Sequence, residues 1–233
     1  MDMNKSKKHF VVILFLCLIA SILSSITTVL IYNSISTRNN YFDGNINKVV
    51  EIASFDNEEN KSFGTGWFID GCTIVTNYHV VSYLYQNERS EFDNIEIRFY
   101  DEESYYNSSI IKYDKIKDIA YLKYDGNHYH SYFKTSLDYH NTNKCFSIGN
   151  FLNYGLSYKE GYISLSSINL EYNRTYSNYI QCSITIGQGD SGAPLFNKDN
   201  EVIGMITFRV KNLTGDVEQG FGYAIPINNI LML

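Results

Sequence analysis

The chain has 233 residues, enough for one sizeable domain or two small ones, and its 44% hydrophobic and 15% aromatic content supplies a core and excludes a disordered chain. Its formal charge is −6, and beyond residue 31 the balance is 16 basic against 24 acidic residues, which excludes a nucleic-acid surface, since phosphate binding needs concentrated Lys and Arg. The 21 Tyr, the many β-branched residues and the two prolines favour strands joined by Gly, Asn and Asp turns.

The N-terminus is a separate object. Lys5, Lys7 and Lys8 precede an uncharged run of 22 residues from Phe10 to Ile31, and roughly 20 residues cross a bilayer as a helix. A secretory signal has a shorter apolar region, about 7–15 residues, and a small-x-small cleavage site. Ala20-Ser21-Ile22 and Ser24-Ser25 fit that poorly, so an uncleaved signal anchor is favoured over a cleaved signal and over a buried core helix. Positive-inside orientation then places residues 1–9 in the cytoplasm, 10–31 in the membrane and the rest outside. Residues 32–45 read as a short polar stalk, and the folded domain occupies 46–233. Cys17 lies in the apolar run, and Cys72, Cys145 and Cys182 are an odd number without C-x-x-C spacing. They read as small, mostly buried residues, with no disulfide predicted. The sequons at Asn60, Asn107, Asn173 and Asn212 matter only in a eukaryotic secretory pathway.

Beyond the stalk, short strand-like segments follow one another: 47–53, 66–69, 72–76, 95–100, 110–113, 119–124, 145–149, 162–170, 179–184, 202–210 and 221–225. Asp70-Gly71 is a two-residue hairpin signal. Residues 79–85 fit a turn or short helix, and 227–233 a short closing helix. About a dozen short strands with turn signals between them predict an all-β barrel or sandwich. The softer stretch Gly126–Lys144 is the junction between two halves, about 46–133 and 134–226.

Chemistry concentrates at three places. In Ile186-Gly187-Gln188-Gly189-Asp190-Ser191-Gly192-Ala193-Pro194 a serine sits at a tight Gly-rich bend, where the N–H groups of Gly189 and Ser191 can turn toward one point and stabilise an oxyanion. Alone, that stretch reads as a hairpin with an exposed serine. His79 follows the apolar strand ending Val75-Thr76 and is the candidate base. His9 abuts the membrane run, His140 lies in the junction, and His128-x-His130 makes a weak metal pair. Asp118 opens the strand Ile119-Ala120-Tyr121-Leu122 and can orient an imidazole through Nδ1–H. Asp114 and Asp125 are its rivals by position.

The blocks Gly64-Thr65-Gly66-Trp67-Phe68-Ile69, Thr76-Asn77-Tyr78-His79-Val80-Val81, Asp118-Ile119-Ala120-Tyr121-Leu122, Gly187-Gln188-Gly189-Asp190-Ser191-Gly192-Ala193-Pro194-Leu195-Phe196-Asn197 and Gly220-Phe221-Gly222-Tyr223-Ala224-Ile225-Pro226 occur in that order. Together they resemble the chymotrypsin-like serine proteases, particularly the bacterial HtrA (Deg) group, over about residues 46–230. The resemblance implies two perpendicular six-stranded β-barrels with the site between them. It implies Ser191 as nucleophile, His79 as general base and then acid, Asp118 as the orienting carboxylate, and the Gly189 and Ser191 N–H groups as the oxyanion hole. It also implies Thr185 at the base of the specificity pocket, with Thr207 and Gly222 in its walls. Thr185 is uncharged, which argues against an Arg/Lys preference. No histidine occurs in Met205–Thr207, which argues against a Glu preference, so a small or medium apolar P1 residue is expected.

The chain departs from the group at Asp190, where HtrA-type proteins usually carry Asn. In digestive trypsins an aspartate at this place pairs with a freed N-terminus, and its partner here is left open. The chain stops at Leu233, with no room expected for a PDZ domain. The implied function is a serine endopeptidase acting on protein or peptide substrates outside the cytoplasm, with no cofactor and no metal. A catalytically silent binding module and an acyl hydrolase of non-peptide substrates are the alternatives.

Overall fold

The computed structural model describes residues 3–56, 61–85, 88–126, 129–172, 175–208 and 220–232. Asn60, Asn173, Asn212 and His128 therefore lie outside the described residues. The chain divides at Gly44 into a helical unit and a β unit that begins at Asn45.

The helical unit is α1 (Met3–Asp43). Its segment Val11–Asn33 has 23 residues and a mean hydropathy of 2.5, so it is long and apolar enough to cross a membrane by length and composition. Its apolar side chains are exposed. Ser21, Ser25, Thr27 and Thr28 donate their hydroxyls to carbonyls three or four residues back, at 2.8–3.1 Å. This is how hydroxyls are satisfied where water is absent. Residues 32–43, expected as a stalk, continue the helix. No Pro or Gly occurs before Gly44, and without a breaker the helix runs on to it.

The β unit contains two closed six-stranded barrels. The first is built from β1 (Val49–Phe55), β2 (Lys61–Phe68) and β3 (Thr73–Thr76). The chain then makes a 3₁₀ turn at Tyr78–Val80 and a side hairpin, β4 (Ser82–Tyr85) with β5 (Glu88–Glu91). β6 (Asn94–Phe99), β7 (Tyr106–Asp114) and β8 (Ile119–Tyr124) close the barrel in the order β1-β2-β3-β8-β7-β6. β6 shows the alternation expected of a strand with one buried face. The Asp70-Gly71 signal gives a different turn from the one expected. Neither residue has a positive φ, which a two-residue type I′ turn requires. Asp70 Oδ1 instead accepts the N–H groups of Cys72 and Thr73, at 2.8 and 2.7 Å, and Ile69 N–H reaches Thr73 O.

The second barrel comprises β9 (Lys144–Gly149), β10 (Ser157–Tyr172), β11 (Thr175–Cys182), β12 (Pro194–Phe196), β13 (Val202–Phe208) and β14 (Gly222–Pro226), in the order β10-β11-β14-β13-β12-β9. The closing helix α2 (Ile227–Leu231) follows. Each barrel has its own core, Ile52, Phe68, Ile74, Ile97 and Leu122 in the first and Ile163, Ile180, Leu195, Ile203 and Ile206 in the second. Cys145 and Cys182 are buried in the second core as free thiols, and Cys72 is exposed.

The junction is less soft than its composition suggested. Phe133 is buried and stands between the two halves. Its ring meets Trp67 of β2 at 6.2 Å and Phe196 of β12 at 4.8 Å, and Phe196 stacks on Phe146 of β9 at 4.7 Å. These rings pack the two barrels against each other.

Candidate active site

β3 and β8 pair antiparallel, with Thr76 opposite Ala120. The residues just beyond the end of β3 therefore meet those just before β8. The 3₁₀ turn brings His79 back over that edge, and its Nδ1 lies 2.7 Å from Asp118 Oδ2. The backbone N–H of His79 donates to Asp118 Oδ1 at 2.9 Å. Asp118 is buried and holds a left-handed φ of 58°, an uncommon conformation for a non-glycine residue. Asn77 Nδ2 secures it by donating to Asp118 O at 3.0 Å. A third donor comes from the second barrel, because Thr207 Oγ1 reaches Asp118 Oδ2 at 2.9 Å. Against an ionised carboxylate, which only accepts, Nδ1 is the donor of this bond, and a neutral ring so held has its lone pair on Nε2.

The serine loop is held from both barrels. Gly189 and Gly192 have φ of 91° and 89°. A Cβ on Gly189 would lie 2.0 Å from Asn150 O, and one on Gly192 2.0 Å from Thr65 O. Thr65 of β2 is the clasp. Its N–H donates to Ser191 O at 2.9 Å, its Oγ1 donates to Gly189 O at 2.8 Å and accepts Asn150 N–H at 2.9 Å, and its carbonyl accepts Thr76 Oγ1 at 2.7 Å. With the Gly189 and Ser191 carbonyls so engaged, the N–H groups of these two residues have no protein acceptor among the described residues. Asp190 between them is buried. Its Oδ2 accepts Gly187 N–H at 2.7 Å, and its Oδ1 takes the ammonium of Lys159.

The Ser191 hydroxyl donates to Thr207 O at 3.1 Å, and no hydrogen bond joins it to His79 among the described residues. Thr207 thus touches the serine through its carbonyl and the aspartate through its hydroxyl. This differs from the expected pocket-wall role. Thr207 sits at a register shift between β13 and β14, after the Ile206–Ala224 pair and before Phe208–Tyr223. A bulge re-aims a side chain, and here it turns the Thr207 hydroxyl toward Asp118.

Beside the loop lies a cavity of about 670 Å³ lined by Phe151, Leu152, Thr185, Ile186, Gln188 and Phe221, with Gly187 and Gly220 completing it. Thr185 is thus on its wall, and Thr207 and Gly222 are not. A Cβ on Gly222 would meet Ile186 Cγ2 at 3.1 Å, so Gly222 backs the Ile186 wall rather than facing the space. Among the described residues, none with a charged side chain lines this cavity. No group of three or more metal-ligating side chains occurs among the described residues. His130 stacks on Phe68 and Phe99, at 4.5 and 4.7 Å, as part of the first core.

Thr65, Asn150 and Lys159 were not singled out from the sequence. Thr65 had a signal, standing between two glycines in a block already noted. Lys159, in a polar and aromatic strand, had none.

The loop's dependence on glycine is testable. Gly192→Ala is expected to destabilise the chain by about 3 kcal/mol or more, since the left-handed φ costs about 1–3 kcal/mol and the Thr65 contact adds to it. Gly155 has a φ of 101° but nothing within 4 Å of an added Cβ, so Gly155→Ala should cost the backbone strain alone. Denaturant unfolding of the two variants checks this, and equal losses would contradict the clasp.

Residues 64–205 match the family described as trypsin-like peptidase domain. A probable periplasmic serine endoprotease, DegP-like, of Rickettsia conorii is 33% identical over 171 residues, which cover 71% of this chain and 32% of that protein. The serine protease Do-like HtrA of Bacillus subtilis is 28% identical over 165 residues, covering 67% and 34%. The chain thus spans about a third of the length of these curated relatives. Among solved structures, the active form of the Rv3671c protease from M. tuberculosis aligns with a TM-score of 0.70 at 16% identity, over 84% of this chain and 83% of that one. The HtrA-type protease AlgW with a tripeptide aligns with a TM-score of 0.69 at 24% identity, over 83% and 61%. At these identities the likeness to the solved structures is one of fold. The family match extends over well more than half of the chain and its barrels are those the resemblance implied, so this chain belongs to the trypsin-like peptidase domain family.

Proposed function

We propose that the chain is a serine endopeptidase that cleaves peptide bonds of proteins or peptides outside the cytoplasm, held to the membrane by α1. The observation that carries the reading is the Asp118 carboxylate 2.7 Å from His79 Nδ1, which leaves Nε2 as the open base. Ser191 is the nucleophile. Its hydroxyl rotates from Thr207 O toward Nε2, since such bonds are often made only when substrate is bound. His79 takes the proton as Ser191 Oγ bonds to the scissile carbonyl carbon. The N–H groups of Gly189 and Ser191 receive the developing oxyanion, each donor contributing about 3–4 kcal/mol. The imidazolium returns the proton to the leaving amine, an acyl-enzyme forms, and water releases it by the same steps. The periplasmic relatives and the apolar length of α1 support the extracytoplasmic placement.

Among the described residues no charged side chain lines the cavity, and Phe151, Leu152, Ile186 and Phe221 form its apolar part, which supports a neutral apolar P1 residue, with Thr185 setting its character. Digestion of a peptide library by the detergent-solubilised chain is the test, and cleavage after small or medium apolar residues is expected. Thr185→Asp should shift cleavage toward Lys and Arg at P1 by at least about tenfold, or about 1.4 kcal/mol of discrimination. Cleavage after acidic residues by the unaltered chain would contradict the pocket assignment. Hydrolysis of esters without any peptide cleavage would make the chain an acyl hydrolase instead. A silent binding module is the second reading, favoured by the Ser191 hydroxyl resting on Thr207 O. That reading predicts peptide binding without turnover.

A further inference from the structure

We propose that Lys159 is a positioning residue. Its ammonium holds Asp190, and through Asp190 the oxyanion loop, so that the loop's form does not depend on an α-ammonium freed by processing. The inference rests on the serine-peptidase reading above.

Asp190 is the hinge of the loop. Its N–H donates to Gly187 O at 3.2 Å, its carbonyl accepts Ala193 N–H at 3.0 Å, and it separates Gly189 and Ser191, whose N–H groups have no protein acceptor among the described residues. Moving Asp190 moves both donors. Its carboxylate has little freedom, since an added Cβ on Gly149 would lie 2.6 Å from Oδ1. Such a buried carboxylate without a counter-charge would either take up a proton or force the loop open.

Lys159 supplies that counter-charge from β10. Its backbone is fixed by pairing with Ser147 of β9, whose own hydroxyl donates to Pro194 O at 2.8 Å, just past the serine loop. Its side chain is 17% exposed. The ammonium lies 4.4 Å from the centre of the Phe151 ring, a cation–π contact made by a residue that also lines the cavity. Lysine and aspartate are thus set by different elements, one on a strand pair and one in the loop. Burial lowers the Lys159 pKa, and the Asp190 charge raises it part of the way back. Asp190 is the titratable group acting on Lys159 among the described residues, and the Phe151 ring and the β9 backbone complete its surroundings.

The test uses the full chain in detergent, with the rate of fluorophosphonate labelling at Ser191 and peptide kinetics as readouts. Lys159→Met is expected to slow labelling and lower kcat about 100-fold, the loss typical of one misplaced oxyanion donor, with KM little changed. In Lys159→Met/Asp190→Asn, a neutral amide still accepts Gly187 N–H and needs no counter-charge, so most of the rate should return. The unaltered chain should also lose rate on the alkaline side as Lys159 deprotonates, and this limb should be absent from the double variant. If Lys159→Met labels at the unaltered rate, the proposal is overturned while the peptidase reading stands. If Lys159→Met does not fold, the double variant decides, and an alkaline limb retained there overturns the proposal. If the unaltered chain itself neither labels nor cleaves, the peptidase reading fails and takes this proposal with it.

Discussion

Ser191→Ala and His79→Ala are each expected to lower kcat by about a millionfold, and the double variant is expected to lose no more than either single one. The reason lies in what each atom can still do when the other is gone. Without His79 Nε2, the Ser191 hydroxyl keeps the Thr207 carbonyl as its partner among the described residues, and a carbonyl cannot hold a transferred proton. Without the hydroxyl, His79 has no serine nucleophile to activate. What survives in both variants is the pair of N–H groups of residues 189 and 191, so a residual rate above the uncatalysed one should remain in each. KM should change little, because the cavity lining contains neither residue. Steady-state kinetics on one peptide substrate, with far-UV circular dichroism to confirm folding, checks the result. A single variant retaining even a hundredth of the activity would mean that another residue serves as nucleophile or base.

The second large effect is at Asp118. Asp118→Asn is expected to lower kcat about ten-thousandfold while leaving the fold in place, the size of loss expected when the histidine is held in the wrong tautomer. Oδ2 receives both His79 Nδ1–H and Thr207 Oγ1–H, and Oδ1 receives His79 N–H. An amide keeps one of these acceptors and replaces the other with a donor. With the amide nitrogen in the Oδ2 place, Nδ1 must accept, the proton moves to Nε2, and the base is lost. With the nitrogen in the Oδ1 place, it faces the His79 N–H and the turn is pushed away. Thr207→Val should cost far less, because it removes one of three donors and leaves the tautomer intact. If Asp118→Asn fell by less than Thr207→Val, the tautomer argument would be wrong.

How far the molecule could be read in advance depended on the range of the interactions. His79 and Asp118 were legible because each stands at the end of an apolar strand, and strand ends are local features. The two-barrel architecture followed from the resemblance of five ordered blocks rather than from periodicity, which left barrel and sandwich open. β12 is only three residues long and lies inside the Gly-rich block, so no period marked it. The clasp that forms the serine loop was not legible. Thr65 and Gly189 are 124 positions apart, and Lys159 and Asp190 are 31 apart. Nothing local in a threonine or a lysine announces such partners. Thr207 was assigned to the pocket wall by the resemblance alone, and the register shift that follows Ile206 is not visible in the sequence. The Asp70-Gly71 pair signalled a turn correctly and its length incorrectly, since the Phe68–Ile74 register and the Ile69 N–H bond to Thr73 O leave three residues in the turn, with the Asp70 carboxylate accepting the N–H groups of Cys72 and Thr73.

The central claim is that Ser191, and no other serine, is made nucleophilic by His79 held against Asp118. It is tested most directly by treating the detergent-solubilised chain with a fluorophosphonate and locating the adduct by peptide mass spectrometry. The account predicts one adduct, on Ser191, formed at the rate at which peptide cleavage is lost and absent from His79→Ala. A folded chain that carries no adduct, or carries it on another residue, would contradict it.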